Sequence, residues 1–140
     1  MITTISPFLS FTGQAADALA LYQRALGGTV VHKSIYGPDQ EGVEGTIRHA
    51  VLETASTKIN LIDVPPDAAF QFDPSNSLLV ECDSREDLTR LSGILGDGGE
   101  VMMPLDTYPF ADAFTWLADR FGVNWQLLYA GTAPYPSQGT

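Results

Sequence analysis

Apolar residues along the chain recur at two periods, and the order of those periods predicts the order of strands and helices. Residues 5–12 are rich in β-branched and aromatic side chains and predict a strand. Over residues 13–25 the apolar positions lie three or four apart, which predicts a helix that ends at Gly27-Gly28. Further strands are predicted at residues 29–36, 46–54 and 57–63, the last two joined by the tight connection Ala55-Ser56. The first half of the chain is therefore expected to be a βαβββ unit.

The same order begins again after residues 64–76, a segment rich in proline and aspartate. A strand is predicted at residues 77–82, and Asp83-Ser84 then offers a helix cap followed by acidic residues, which the positive end of a helix dipole favours. Leu88, Leu91 and Leu95 supply an apolar stripe, and three glycines between residues 96 and 99 end this helix. Strands are predicted at residues 100–106, 113–119 and 123–129.

A weak internal repeat relates the two halves. At a shift of 70 residues Asp17 matches Asp87, Leu21 matches Leu91 and Gly28 matches Gly98. We therefore predict an α+β fold of two βαβββ modules that form a curved mixed sheet with the helices outside and a concave pocket inside. One domain is expected at residues 1–130, with modules at about 1–64 and 77–130, followed by a flexible C-terminal tail at residues 131–140. Residues 37–45 are expected to form a mobile loop.

Charge and composition restrict the classes of partner. The chain has 140 residues, 44% of them hydrophobic, which suits one globular domain. Its net charge of −10 repels nucleic acid and anionic lipid headgroups. No apolar run reaches the length of a membrane span, and the opening residues lack the basic start of a signal peptide, so we expect a cytoplasmic protein. The single cysteine, Cys82, is interpreted as a small core residue, with a catalytic thiol as the alternative.

Motifs in both halves resemble those of the PhnB-like branch of the vicinal oxygen chelate superfamily, the superfamily of the glyoxalase and bleomycin-resistance proteins. Residues 116–127, WLADRFGVNWQL, are similar to its signature W-x-x-D-x-F-G-V-x-W-Q-L, and MPLD at residues 103–106 with Tyr108 and Phe110 resembles the stretch before it. Shorter matches occur at Pro7-Phe8-Leu9, His49-Ala50 and Ser77-Leu78. The resemblance implies the glyoxalase/bleomycin resistance fold. Because members of the superfamily frequently pair their modules across a dimer, we expect a homodimer.

The resemblance also indicates where a metal site would lie. Enzymes of the superfamily commonly hold a divalent ion with His, Gln or Glu on equivalent strands of each module, and the corresponding positions here are Pro7 and Asn60, and Ser77 and Gln126. Proline has no side-chain donor and the other three side chains are neutral, so we expect no metal and no other cofactor.

The two histidines do not change that expectation. His32 and His49 lie on different predicted strands and lack the spacing of a metal motif. Both are interpreted as surface or hydrogen-bonded strand residues.

Strand alternation puts one carboxyl group near these positions. Ser77 and Glu81 share a face of their predicted strand, so Glu81 lies in the pocket if Ser77 and Gln126 do. Desolvation there would raise the pKa of the Glu81 carboxyl and suit a general base. The alternative is a Glu81 that is solvated at the strand end, or paired with Arg48 or Arg90, and has no chemical role.

Three functions remain open from the sequence. The first is metal-free binding of a small apolar or aromatic molecule, with ligand-binding residues Asn60, Ser77, Glu81, Trp116 and Gln126. The second is an enzyme, a lyase or isomerase, either metal-dependent or using Glu81 as its base. The third is a dimerising domain whose pocket is filled by side chains.

Some relatives carry a demethylubiquinone methyltransferase name, which the sequence does not support. A Rossmann-like site for S-adenosylmethionine needs a glycine-rich turn after a strand, whereas the glycines near residue 98 follow a predicted helix.

Overall fold

Each half of the chain builds its own sheet in the computed structural model, which describes residues 1–68 and 70–136. The first unit spans Met1–Phe70 and the second begins at Gln71. The first contains β1 (Phe8–Phe11), α1 (Ala15–Leu26), β2 (Thr29–Ile35), β3 (Ile47–Glu53) and β4 (Lys58–Asp63), followed by a 3₁₀ turn at Pro66–Ala68. The second contains β5 (Leu78–Glu81), α2 (Arg85–Gly96), β6 (Glu100–Tyr108), β7 (Ala111–Ala118) and β8 (Asn124–Tyr129). The prediction of two βαβββ modules is therefore confirmed.

In the first module the strand order is β1-β4-β3-β2, with β1 parallel to β4 and the other neighbours antiparallel. Helix α1 packs on β3 and β4. Ile59 and Leu61 of β4 are buried and stand opposite Leu52 and Ala50 of β3. Side chains alternate along a strand, so the intervening residues lie on the opposite face, here called the helix-free face. The helix-free face of the first module carries Phe8, His32, His49, Val51 and Asn60.

The second module repeats this arrangement with the strand order β5-β8-β7-β6, and β5 is parallel to β8. Helix α2 packs on β7 and β8. Trp125 and Leu127 of β8 are buried and stand opposite Leu117 and Thr115 of β7. The helix-free face of the second module carries Leu79, Glu81, Phe114, Trp116, Asn124, Gln126 and Leu128.

The repeated identities occupy equivalent places in the two modules. They are Asp17 and Asp87, Leu21 and Leu91, and Gly28 and Gly98. The aspartates lie in the first turn of each helix, and the leucines are buried. The glycines have φ angles of 88° and 76°, a region that other residues rarely adopt, and each lies between a helix and the strand that follows it. The repeat therefore preserves the start, the packing and the exit of each helix.

Several element ends differ from their predicted positions for local reasons. Strand β1 begins at Phe8 rather than residue 5, since Ile5 is exposed and Pro7 has no N–H to donate to a ladder. Helix α1 begins at Ala15 because Gly13, with φ of 106°, cannot be helical. The hairpin of β6 and β7 extends further than predicted, to a turn at Pro109-Phe110.

Candidate functional site

Asn60 lies at the centre of a hydrogen-bond network on the helix-free face of the first module. Its Nδ2 donates to the carbonyl oxygen of Pro7 at 3.2 Å and lies 3.4 Å from the hydroxyl of Ser6. Its Oδ1 lies 2.9 Å from Nε2 of His49. The structure thus brings Asn60 and Pro7 together, because β4 runs parallel to β1 with Asn60 opposite Phe8.

Ser77 and Gln126 form the corresponding pair in the second module. Gln126 lies on β8 opposite Leu79 of β5, and its Nε2 donates to the hydroxyl oxygen of Ser77 at 3.0 Å. Ser77 immediately precedes β5 and is exposed. Each predicted pair is therefore in contact within its own module. Asn60 contacts the backbone of Pro7, and Gln126 contacts the side chain of Ser77.

These four positions do not fit the divalent metal that the superfamily commonly holds. The oxygen of Asn60 already contacts His49, Gln126 is paired with a neutral hydroxyl, and Pro7 offers only a carbonyl that two N–H groups of Asn60 occupy. A divalent ion needs anionic or imidazole donors that offset its charge. Within residues 1–68 and 70–136, no group of three or more His, Cys, Asp or Glu side chains could hold a metal ion.

Trp116 supplies a fixed aromatic ring on the helix-free face of the second module. It stands opposite Gln126 of β8 and Met103 of β6, and it is half-buried. Its indole Nε1 donates to Oδ1 of Asn124 at 3.0 Å. Leu79, on the other side of Gln126, is 45% exposed. An immobilised ring, an apolar side chain and an oriented amide therefore lie side by side.

The other end of the same face is covered by the module's own side chains. Leu128, Ala111 and Phe114 are buried together there, and the residues packed against them include Tyr108, Phe110 and Tyr135 as well as Trp116 itself. The ring of Phe114 meets those of Tyr108 and Phe110 edge to face, with centroids 5.7 Å and 4.9 Å apart. Leu128 thus shares a face with Gln126 but is not available to a ligand. The expected tail, residues 131–140, contributes Tyr135 to this cluster, and residues 137–140 lie outside the described part of the chain.

Glu81 ends β5 and is exposed. Its register partner on β8 is Leu128, so it lies on the predicted face. Arg90, one of the two partners considered for it, lies 3.7 Å from Asp87. The role of Glu81 as a general base stays a prediction.

Cys82 follows Glu81 and is half-buried. Burial, followed by the nearby carboxylates of Asp87 and Asp83, raises the pKa of its thiol to about 11, against a smaller opposing effect of Arg90. A nucleophilic cysteine needs a lowered pKa, since the thiolate is the reactive form. The environment therefore favours the interpretation of Cys82 as a packing residue.

The sequence interpretation missed the part that His49 plays on the helix-free face of the first module. Its ring stacks on that of Phe8, with centroids 5.7 Å apart and an interplanar angle of 9°, and lies 5.1 Å from the ring of His32. Together with its contact to Asn60, this makes His49 the centre of a polar and aromatic cluster.

A signal for this cluster was present in the sequence. The two-residue connection Ala55-Ser56 sets the register of β3 and β4, which places Val51 opposite Asn60 and puts His49 on the same face. The direction of the Asn60 amide could not be read in the same way, because it depends on the Pro7 carbonyl, 53 residues away.

Known proteins similar to this chain agree with the fold. The family model described as 3-demethylubiquinone-9 3-methyltransferase matches residues 3–128. Protein YjdN of Escherichia coli (strain K12) is 26% identical over 137 residues, which cover 88% of this chain and 92% of YjdN. A PhnB protein from Bacillus cereus has a solved structure that is 35% identical, with a TM-score of 0.86 over 91% of this chain and 100% of that one. Protein PA1353 from Pseudomonas aeruginosa is 31% identical, with a TM-score of 0.83 over 91% of this chain and 98% of that one.

The helices of the described residues include none that is long and apolar enough to cross a membrane. The family match covers nearly all of both modules, and the order of their elements agrees with it. This chain therefore belongs to the PhnB-like family of the vicinal oxygen chelate superfamily and has the glyoxalase/bleomycin resistance fold.

Proposed function

We propose that the protein binds a small apolar or aromatic molecule without a metal ion. The proposed ligand-binding residues are Trp116, Gln126, Ser77, Asn60 and Glu81. Asn60 lies on the helix-free face of the first module. The other four belong to the second module, where Glu81, Trp116 and Gln126 lie on its helix-free face and Ser77 immediately precedes β5. On the second module the ligand would use the ring of Trp116 and the apolar side chain of Leu79 for affinity and the amide of Gln126 for orientation.

The observation that carries this proposal is the immobilised indole of Trp116. Its Nε1 donates to Asn124, whose own Nδ2 donates to the carbonyl of Gly122 at 3.1 Å, so hydrogen bonds orient the half-buried ring. A preorganised aromatic surface binds a flat apolar ligand at little cost in side-chain entropy. The neighbouring amide of Gln126, oriented by Ser77, gives one polar contact at its edge.

The topology does not support extending the methyltransferase name of the family model to this chain. Helix α2 ends at Gly96 and β6 begins at Glu100, so the glycine cluster joins a helix to a strand rather than a strand to a helix. The phosphate- and nucleoside-binding turn of a Rossmann-like domain needs the opposite order within a parallel sheet. Small-molecule binding needs no such turn.

The test begins with mass spectrometry of compounds that co-purify with the protein, and continues with nitrobenzene as a defined aromatic probe. Titration calorimetry should detect nitrobenzene binding to the native chain, and Trp116→Leu should weaken it at least about tenfold, since the aromatic contact is lost. Trp116→Phe is the matched control, because it keeps a ring and should retain most of the affinity. Urea unfolding of each variant checks the fold. Undetectable binding to the native chain, or equal affinity of the Leu variant, would contradict the proposal.

We also infer that the chain forms a homodimer. Strand β2 lies at the edge of its sheet and exposes Val31 and Ile35, which are 49% and 48% exposed. Apolar edge strands of this kind tend to be covered by another chain.

A further inference from the structure

The amide of Asn60 has one possible direction. The carbonyl oxygen of Pro7 accepts the backbone N–H of Asn60 at 3.0 Å and also its side-chain Nδ2 at 3.2 Å. A carbonyl can only accept, so the NH₂ group must point toward Pro7 and the oxygen Oδ1 must point away from it. The opposite orientation would set two oxygens against each other.

This direction determines which ring nitrogen of His49 carries the proton. Oδ1 of Asn60 can only accept, and Nε2 of His49 lies 2.9 Å from it. Nε2 must therefore donate an N–H. In the neutral imidazole the other nitrogen, Nδ1, then holds a lone pair. Asn60 thus acts as a positioning residue that selects the tautomer of His49.

The lone pair on Nδ1 is not used by the part of the chain that the structure describes. Among residues 1–68 and 70–136, the hydrogen bond of the His49 ring is the one to Asn60, and its ring contacts are with Phe8 and His32. His49 is half-buried, whereas Phe8 is 56% exposed. The arrangement presents a basic nitrogen beside an exposed aromatic ring.

Few charged groups compete for this nitrogen on the same face. His32 of β2 faces it, and β1 contributes Phe8 and Ser10 there. On β4 the face also carries Lys58, which pairs with Glu53 of β3 at 3.7 Å. The carboxylate of Glu53 is thus already matched to a cation. The acceptors left for a ligand are the imidazole groups of His49 and His32, and it is the ring of His49 that stacks on Phe8.

We propose that Nδ1 of His49 accepts the proton of an acidic hydroxyl, a phenol or an enol, on a planar ligand whose ring lies against Phe8. The step breaks the O–H bond of the ligand and forms an N–H bond at Nδ1. It leaves the ligand as its oxyanion and His49 as an imidazolium that still donates from Nε2 to Asn60. This inference goes beyond the proposed binding at Trp116, because it assigns a second site to the helix-free face of the first module alone.

The first experiment tests the tautomer without any ligand. Long-range ¹H–¹⁵N NMR spectra of the imidazole groups, recorded where the rings are neutral, should show His49 predominantly as the Nε2–H form. Asn60→Leu removes the acceptor and should shift His49 toward a mixture of tautomers, while a purely structural role of Asn60 would leave the spectrum unchanged. A predominant Nδ1–H form in the native chain would overturn the inference.

The second experiment uses two probes that differ in one hydroxyl, nitrobenzene and 4-nitrophenol. At a pH where free 4-nitrophenol is mostly protonated, the native chain should bind it about tenfold more tightly than nitrobenzene, because a hydrogen bond to a charged or ionising group is added. Binding should also produce the visible absorption of the phenolate. His49→Gln should lose both the preference and the colour, whereas His32→Gln, a matched loss of the neighbouring imidazole, should keep both.

The outcomes separate this inference from the proposed function. If nitrobenzene binds and 4-nitrophenol binds no more tightly, the role of His49 is overturned while aromatic binding stands. The same conclusion follows if His49→Gln retains the preference for the hydroxyl. If neither probe binds, the proposed binding of aromatic molecules fails and the role of His49 fails with it.

Discussion

Neutral hydrogen bonds hold the amide side chains on the two helix-free faces. Asn60 is fixed by a backbone carbonyl and an imidazole, and Gln126 by the hydroxyl of Ser77. Each such bond contributes only about 1 kcal/mol to stability. Their larger effect is on orientation, because each decides which atom of the amide is presented to an incoming molecule.

The sequence predicted these pairs of residues, Asn60 with Pro7 and Gln126 with Ser77. It did not predict the hydrogen bonds that these residues form. The family resemblance assigned Pro7 and Asn60 to one module and Ser77 and Gln126 to the other. Each pair meets because β1 is the parallel neighbour of β4, and β5 that of β8. The burial of Leu128 was not predicted, because it results from Tyr108, Phe110 and Tyr135, which approach from a hairpin and the tail. Strand alternation predicts which side chains share a face of the sheet, but it does not predict which other side chains pack over that face.

The raised pKa of Cys82 predicts slow thiol chemistry. At pH 8 a thiol of pKa about 11 has about a hundredfold less thiolate than one at the ordinary value of 9.0. A more basic thiolate is about tenfold more nucleophilic, so the net rate should be about tenfold lower in the folded chain. The rate should keep rising up to about pH 11 in the folded chain, but level off above about pH 9 in the unfolded one.

An aromatic disulfide reagent that releases a coloured thiolate measures both rates, with the chain in urea as the unfolded control. Equal rates in the two states at pH 8 would contradict the pKa and would reopen the thiol as a candidate nucleophile.

The two helices begin by different means, although the modules repeat. In α2 the hydroxyl of Ser84 accepts the N–H of Asp87 at 3.1 Å, a local N-cap. In α1 the residue at the same position, Gln14, has no side-chain cap. Its place is taken by Asp63, a buried residue at the end of β4 whose carboxylate accepts the N–H groups of Gly13 and Ala15.

This difference explains which element ends could be predicted. The start of α2 follows from adjacent residues, so Asp83-Ser84 indicated it correctly. The start of α1 depends on Asp63, 48 residues from Ala15, which also accepts the N–H of Ile47 and so joins the helix to β3. A contact between residues so far apart in the sequence forms only when the strands pair, so the local sequence pattern around Ala15 does not predict it.

The capping difference predicts unequal effects of two matched substitutions. Ser84→Ala should lower the free energy of unfolding by about 1 kcal/mol, because the N–H of Asp87 loses its acceptor. Gln14→Ala should change it by less than about 0.5 kcal/mol, since its side chain caps nothing. Urea unfolding followed by circular dichroism measures both. An equal loss for the two variants would show that the cap of α1 depends on Gln14 after all.

At the scale of the whole molecule, the edges of the two sheets differ in how well they are protected. Edge strand β6 contains Pro104 and three irregularities of register with β7, features that hinder pairing with another chain. Edge strand β2 exposes Val31 and Ile35, much as β6 exposes Val101 and Leu105, but it has no proline and only two irregularities of register with β3. If the chain dimerises through a sheet edge, β2 is therefore the better candidate.

Charge opposes this association, so the proposed homodimer should be sensitive to salt. Two chains that each carry a net charge of −10 repel one another, and the range of that repulsion falls from about 30 Å at 0.01 M salt to about 3 Å at 1 M. The dimer fraction measured by light scattering should therefore rise with salt.

Ile35→Lys should reduce the dimer fraction, because an apolar side chain on β2 that the partner would bury is replaced by a charged one. The reduction is expected even though the added positive charge lowers the repulsion between the two chains. Val43→Lys makes the same chemical change at an exposed loop position outside the strand and should leave the fraction equal or higher. A monomer at all salt concentrations would contradict the homodimer, and equal behaviour of the two lysine variants would exclude β2 as its interface.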